Sequence, residues 1–209
     1  MDPQPIITRD DDHIYHVTRV VNGESKTHTP IGVTSLLSSV GISPTYYNSE
    51  RAREFGTMGH DVVNLFLEDD LGEYDPAFEP WMEGIVAFRA ACRPSNYILE
   101  KFVYSSKYDY AGQLDFCGMV TPPGKRRELY CLDWKFWSKY SDAAKSAGEI
   151  QLEGYSRAAI EQHLVKRMPY KALVHFYPHG FKFYFCHDPS SWGTLLGALN
   201  VEKWKRRFG

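Results

Sequence analysis

Between residues 97 and 135 apolar and polar positions alternate with a period of two. On either side they return every three to four residues. The alternating stretch predicts three successive strands over 97–104, 110–119 and 127–135, with Pro122-Pro123-Gly124 as the turn between the second and third. Before it, residues 12–17 and 26–29 read as short strands around Asn22-Gly23, a dipeptide suited to a hairpin. Residues 33–37 read as a short helix. A longer helix over 50–67 is capped by Ser49, and a third over 78–91 ends at Pro94. After the strands, Ser141 or Asp142 opens a long helix to about Val165. A second hairpin over 170–177 and 181–187 turns at His179-Gly180, and Asp188-Pro189 starts a last helix with a basic end. Helices, three strands, a helix, two strands and a helix predict an α/β fold with a mixed central sheet flanked by helices.

Composition narrows the class. The chain has 209 residues, 43% hydrophobic and 24% charged, which fits one soluble globular domain. No apolar run approaches the roughly 20 residues that span a bilayer, so no membrane is expected as a partner. Met1-Asp2-Pro3-Gln4-Pro5 has no basic and apolar leader pattern, so an intracellular protein is expected. Cys92, Cys117, Cys131 and Cys186 form no C-x-x-C pair; Cys117 and Cys131 fall on neighbouring strands and are expected in the core. The net charge of -2 does not advertise nucleic acid, but bases cluster at Lys125-Arg126-Arg127, at Lys166-Arg167 and from Lys203 to Arg207. Such local patches attract phosphate, although each patch taken singly reads first as a solvated face.

Candidate chemistry centres on Asp133-Trp134-Lys135. Residues two apart in a strand share a face, so Asp133 and Lys135 project together at the end of an apolar run. A hairpin through Pro122-Pro123-Gly124 brings Asp115 close to Asp133. Two carboxylates and a lysine at one point suit metal-dependent phosphodiester cleavage. Magnesium takes hard oxygen ligands, a bound water loses its proton more readily, and a lysine orients or deprotonates that water or neutralises developing charge. A surface hairpin with an incidental salt bridge would also carry this tripeptide. Elsewhere, Gly56, His60, Val63 and Leu67 share a helix face. Gly56 and Gly59 inside that helix each cost about 1 kcal/mol relative to alanine, which suggests a backbone held close to something. His60 is either a metal ligand or a core histidine, and Glu100, amid apolar residues, lies at a rim or at a site. Gln151 and Tyr155 face the same way on the long helix. Small residues Ala144, Ala147, Gly148 and Ala158 let that helix pack tightly on the sheet.

Taken in order, Gly56-Thr57-Met58-Gly59-His60, Glu100, Gly112-Gln113-Leu114-Asp115, Asp133-Trp134-Lys135 and Gln151 through Tyr155 resemble the PD-(D/E)XK nuclease superfamily and its RecB-like branch. The resemblance runs from about Arg51 to Tyr155. It implies a restriction-endonuclease-like core and a single nuclease domain: N-terminal strands and short helix over 1–48, core over 49–187, basic helix over 188–209. It also implies that Asp115 and Asp133 hold Mg2+ or Mn2+ with the carbonyl of Trp134, that His60 completes the coordination, and that Glu100 joins directly or through water. Lys135 would position the attacking water, and Gln151 and Tyr155 would contact the scissile strand or Lys135. The iron–sulfur cysteine set of some RecB-like enzymes is missing, so no cluster is expected; only Cys186 follows the last matched motif at Tyr155.

The expected activity is a deoxyribonuclease, an exonuclease acting on DNA ends in recombination, repair or replication. It resembles small stand-alone phage-type and mitochondrial genome-maintenance exonucleases. Single-stranded DNA is the expected substrate, with Trp137 and Tyr140 either stacking on bases or packing in the core. A single-strand-binding or recombination protein is the expected partner. The location would be the cytoplasm of a phage-infected cell or the mitochondrion. The alternatives are a structure-specific endonuclease, a non-catalytic DNA-binding protein on the same fold, and a metal-dependent hydrolase of another substrate.

Overall fold

The computed structural model describes residues 4–43, 50–136 and 140–208. Its elements are β1 (Ile6–Arg9), β2 (Tyr15–Val21), β3 (Glu24–His28), β4 (Ile31–Gly32), α1 (Val33–Ser39), α2 (Glu50–Leu67) and α3 (Glu79–Cys92), followed by β5 (Ser95–Ser105), β6 (Tyr110–Val120), β7 (Glu128–Lys135), α4 (Asp142–Glu161), β8 (Tyr170–Tyr177), β9 (Gly180–Phe185) and α5 (Ser191–Phe208). One 3-10 turn, Pro76–Phe78, precedes α3.

The main sheet is built on β6. β5 runs antiparallel along one edge of it from Ser105↔Tyr110 to Ser95↔Met119. On the other edge β4 pairs in parallel with Tyr110 and Ala111, and β7 pairs antiparallel from Phe116↔Leu132 to Val120↔Glu128. β8 then adds in parallel to β7, and β9 antiparallel to β8. The expected mixed sheet flanked by helices is therefore present. Apolar side chains leave both faces. Val33, Leu36, Leu114, Leu152, Leu173 and Leu195 build one core beneath α1, α4 and α5. Val63, Phe78, Ile85, Phe88, Leu132 and Trp134 build the other beneath α2 and α3.

Local chemistry explains the connections. Asn22 and Gly23 both adopt positive φ, 54° and 80°, and join β2 to β3. Gly124 (φ 69°) and the bond from Lys125 N to Pro122 O, 3.0 Å, close the turn between β6 and β7. Ser141 caps α4 by accepting from Ala144 N at 3.1 Å.

Several boundaries differ from expectation. β2 starts at Tyr15, not residue 12, because Asp10 turns the chain first by accepting from Ile14 N with its side chain at 2.8 Å. β1 pairs with β2, so the N-terminal unit is a three-stranded sheet and not a hairpin. α4 stops at Glu161, short of Val165; His163 takes φ 57°, which a continuing helix forbids. β9 begins at Gly180 and ends at Phe185, and α5 begins at Ser191. Ser49, expected as the cap of α2, and Trp137 lie outside the described residues. All four cysteines are buried, and Cys117 and Cys131 are register partners in the core. No helix among the described residues is long and apolar enough to cross a membrane.

Candidate active site

Three acidic positions fall in line across the middle of the sheet. The β5–β6 register places Glu100 opposite Asp115, between Leu99↔Phe116 and Lys101↔Leu114. Continuing the β6–β7 register by one position beyond Phe116↔Leu132 places Asp133 opposite Asp115. The pleat breaks along this line. Leu114 packs under α4, yet Phe116, two residues on, packs under α2 and α3. In a regular strand the two would share a face. Glu100 sits at φ 45°, a left-handed conformation that non-glycine residues seldom adopt and that concentrates at functional sites.

Each side chain is held. Asn64, one turn beyond His60 on α2, donates to Glu100 Oε1 at 2.5 Å; Gln113 donates to Glu100 Oε2. Asn64 Oδ1 in turn accepts from the indole Nε1 of Trp134 at 3.2 Å. Asp115 Oδ2 accepts from the backbone N of Trp134 at 2.8 Å and lies 3.4 Å from His60 Nδ1. Lys135 Nζ pairs with the buried Asp133 Oδ2 at 2.5 Å. A buried carboxylate is costly without such a partner.

Charge in this cluster is tightly balanced. Burial disfavours the His60 cation, but Asp115 outweighs it and lifts the imidazole to about 9. Burial, reinforced by Asp115, raises the Glu100 carboxyl to about 7. Burial also acts against the Asp115 carboxylate, yet His60 and then Lys135 hold it below the ordinary range. Asp133 is pushed the other way, by burial and by Asp115, although Lys135 opposes the shift. For Lys135 burial favours loss of the proton, and Asp133 and Asp115 overcome it. His60 and Lys135 thus set two cationic groups against three clustered carboxyls.

Two glycines admit these neighbours. A Cβ on Gly112 would stand 2.0 Å from Cε1 of Tyr155, and one on Gly59 would stand 2.5 Å from the ring of Phe136. Gly112 lets α4 bring Tyr155 onto the sheet, and Gly59 lets α2 approach the end of β7. Gly56 does not act this way. A Cβ there meets nothing within 4 Å, so the expectation of a close approach at Gly56 is corrected. On α4, Gln151 donates to Tyr155 Oη at 2.7 Å and to Thr34 Oγ1 at 3.4 Å.

The eight expected site residues are placed as follows. His60, Glu100, Asp115, Asp133, Lys135, Gln151 and Tyr155 line one cleft of about 440 Å³. Trp134 is buried behind it and reaches the site through its N–H groups. Gln151 and Tyr155 bond to each other and to Thr34. Tyr140 stacks on Tyr184 with ring centroids 4.7 Å apart and donates to Asp142, so it packs against protein. Sequence reasoning missed Arg9, His13, Tyr15 and Thr34, which the N-terminal sheet and α1 contribute to the cleft. It also missed Asn64. The signal for Asn64 was its i, i+4 spacing from His60; nothing local marked the others.

The donor set fits a divalent cation. His60, Glu100 and Asp115 offer one ligand atom each, all within 4.8 Å of one another. Atoms sharing an octahedral cation at about 2.1 Å lie about 3–4 Å apart, so side-chain adjustments of an ångström or so suffice. Asp133, paired with Lys135, lines the same cleft. Comparison with known proteins finds no family model that matches the chain and no curated relative.

Proposed function

We propose that the protein is a divalent-metal-dependent deoxyribonuclease on a PD-(D/E)XK-type core, acting as an exonuclease on DNA ends with single-stranded DNA as substrate. The observation that carries the reading is the row Glu100–Asp115–Asp133 across β5, β6 and β7, with Lys135 and His60 opening into the same cleft. Glu100, Asp115 and His60, with Asp133 adjacent, would hold Mg2+ or Mn2+, which when bound acidifies a water and stabilises charge on the phosphate.

The chain's own groups have clear tasks in that reaction. Lys135, tethered to Asp133, orients the attacking water or neutralises charge developing on the phosphate. The amide and hydroxyl of Gln151 and Tyr155 offer donors to the phosphodiester along the α4 wall. Arg9 also lines the cleft and adds a cation to it. Asn64 and Gln113 fix both oxygens of Glu100. The preference for ends and for one strand rests on the sequence resemblance alone.

The test is incubation with end-labelled linear single-stranded and duplex DNA and with a closed circle, in Mg2+, Mn2+ or EDTA, beside Asp133→Ala. Metal-dependent loss of linear DNA only, absent in the variant, is the expected result. Cutting of the circle would replace the exonuclease with an endonuclease. DNA bound but never cut in either metal would leave a non-catalytic binding protein.

A further inference from the structure

The helix α5 carries two apolar stripes, and among the described residues only one is packed into the fold. Ser191, Leu195, Ala198 and Leu199 are buried against α1 and α4. At about 100° per residue, Val201, Trp204 and Phe208 lie on the opposite side of the helix. They are exposed by 46%, 63% and 64%. The two rings contact each other, centroids 5.7 Å apart, and Arg207 lies over Phe208 at 5.0 Å. Single exposed apolar residues are ordinary, but a contiguous Trp–Phe stripe is not.

Charge indicates what covers it. The same two turns hold Lys203, Lys205, Arg206 and Arg207 against one acid, Glu202, which is itself engaged by Arg206 and Ser39. Among the described residues Lys203 and Arg207 form no ion pair. Lys205 and Arg207 flank the aromatic stripe on its two sides. Flat rings bordered by cations match an unpaired nucleic-acid strand, whose bases stack while its phosphates pair with the cations. An aliphatic partner helix would not need four bases.

The end of α5 that carries this stripe is anchored to α1. Lys205 donates to Ser39 O at 2.8 Å, and Ser39 ends α1, whose first turn supplies Thr34 to the cleft. Five residues of helix span about 7.5 Å. The basic end of α5 therefore docks a little over one helical turn from the α1 residue that lines the site.

We propose that the Val201–Trp204–Phe208 face of α5, with Lys203 and Arg207, is a second binding site for single-stranded nucleic acid, holding the strand beyond the cleft. The inference builds on the proposed nuclease function, but its test reads binding alone.

The experiment is fluorescence anisotropy of a labelled oligothymidylate with the full chain in EDTA, where no metal-dependent cleavage occurs. Wild type is compared with Trp204→Ala/Phe208→Ala, with Lys203→Ala/Arg207→Ala and with Trp204→Phe. Stacking on two rings predicts a loss of affinity of at least about tenfold in the aromatic pair. The basic pair should show a shallower salt dependence, and Trp204→Phe, which keeps a ring, should bind nearly as wild type. These side chains face solvent, so circular dichroism should show every variant folded. Unchanged affinity in both double variants overturns the inference whether or not the protein cleaves DNA, as does failure of wild type to bind the oligonucleotide. Unchanged DNA affinity with lost self-association in sedimentation, or with lost binding to vesicles containing phosphatidylserine, would reassign the face to a second copy or to a membrane surface. Lost affinity in a protein that cuts no DNA would keep this site while removing the nuclease reading.

Discussion

Glu100 on β5 faces Asp115 on β6 across the sheet, and it does so from a left-handed backbone at φ 45°. That conformation costs on the order of 1–3 kcal/mol. It is held by hydrogen bonds that the side-chain amides of Asn64 and Gln113 donate to the carboxylate it presents. An isolated strand would relax; here the neighbours over-determine the side chain.

Replacing Glu100 by Gln keeps the size and removes the negative charge. Metal-dependent cleavage should fall by about 100-fold or more, with the fold retained. Steady-state kinetics over a magnesium titration checks this. Unchanged rates at every metal concentration would remove Glu100 from the site.

Asn64 acts through Glu100. Asn64→Leu deletes the donor to Glu100 and the acceptor for the buried Trp134 N–H. Metal affinity should weaken by about 10–100-fold, with a stability loss of about 1–3 kcal/mol from the orphaned indole. Isothermal titration with Mn2+ and urea unfolding separate the two. A purely structural residue would lower stability and leave metal affinity alone.

Lys135→Ala should lower the rate by about 10²–10⁴-fold while leaving metal affinity nearly unchanged, because in the proposed reaction Lys135 would orient water or neutralise charge and would supply no ligand atom. Loss of metal binding in this variant would instead make Lys135 a structural partner of Asp133 and Asp115.

Gly112→Ala places a methyl 2.0 Å from the Tyr155 ring inside a close-packed layer. Overpacking of this kind costs about 1–3 kcal/mol and should displace Tyr155 from Gln151. Urea unfolding gives the first number, and a drop in cleavage at conditions where the variant is folded gives the second.

Away from the site, Glu153 on α4 accepts from Lys171 at 2.6 Å and from Arg157 at 2.7 Å. Burial works against its charge, but the two cations win and hold its carboxyl below its ordinary 4.5. A carboxyl lowered by folding stabilises the native state above its unfolded value, and loses that contribution as pH falls through its folded value. Glu153→Gln should therefore destabilise by about 2 kcal/mol at pH 7. The gap between variant and wild type should shrink steadily below about pH 4.5 in urea unfolding. A gap independent of pH would show that packing and not charge is lost.

Much of the strand and helix order was legible in the sequence because it rests on local rules. The period-two run from residue 97 to 135 predicted β5, β6 and β7 nearly to their ends. Pro122-Pro123-Gly124 set their turn, and that turn set the register that puts Asp133 beside Asp115. Asp133 and Lys135, two apart on one strand, had to share a face. His60, Gln151 and Tyr155 lay on identifiable faces of α2 and α4, which is why they could be named before any geometry.

Tertiary structure decided what depends on contacts far apart in the chain. No local pattern announces that Glu100 will take a left-handed conformation, because the amides that hold it come from α2 and β6. Nor does one show that the N-terminal sheet will lend Arg9 and His13 to the cleft, or that Gly56 faces open space while Gly59 admits Phe136. The same holds for charge. Sequence marks Glu100, Asp115 and Asp133 as carboxyls, but which of them folding holds above its ordinary pKa and which below depends on burial and on the nearest cation. Propensity and periodicity act over a few residues, whereas desolvation and ion pairing are set by whatever the completed fold brings alongside.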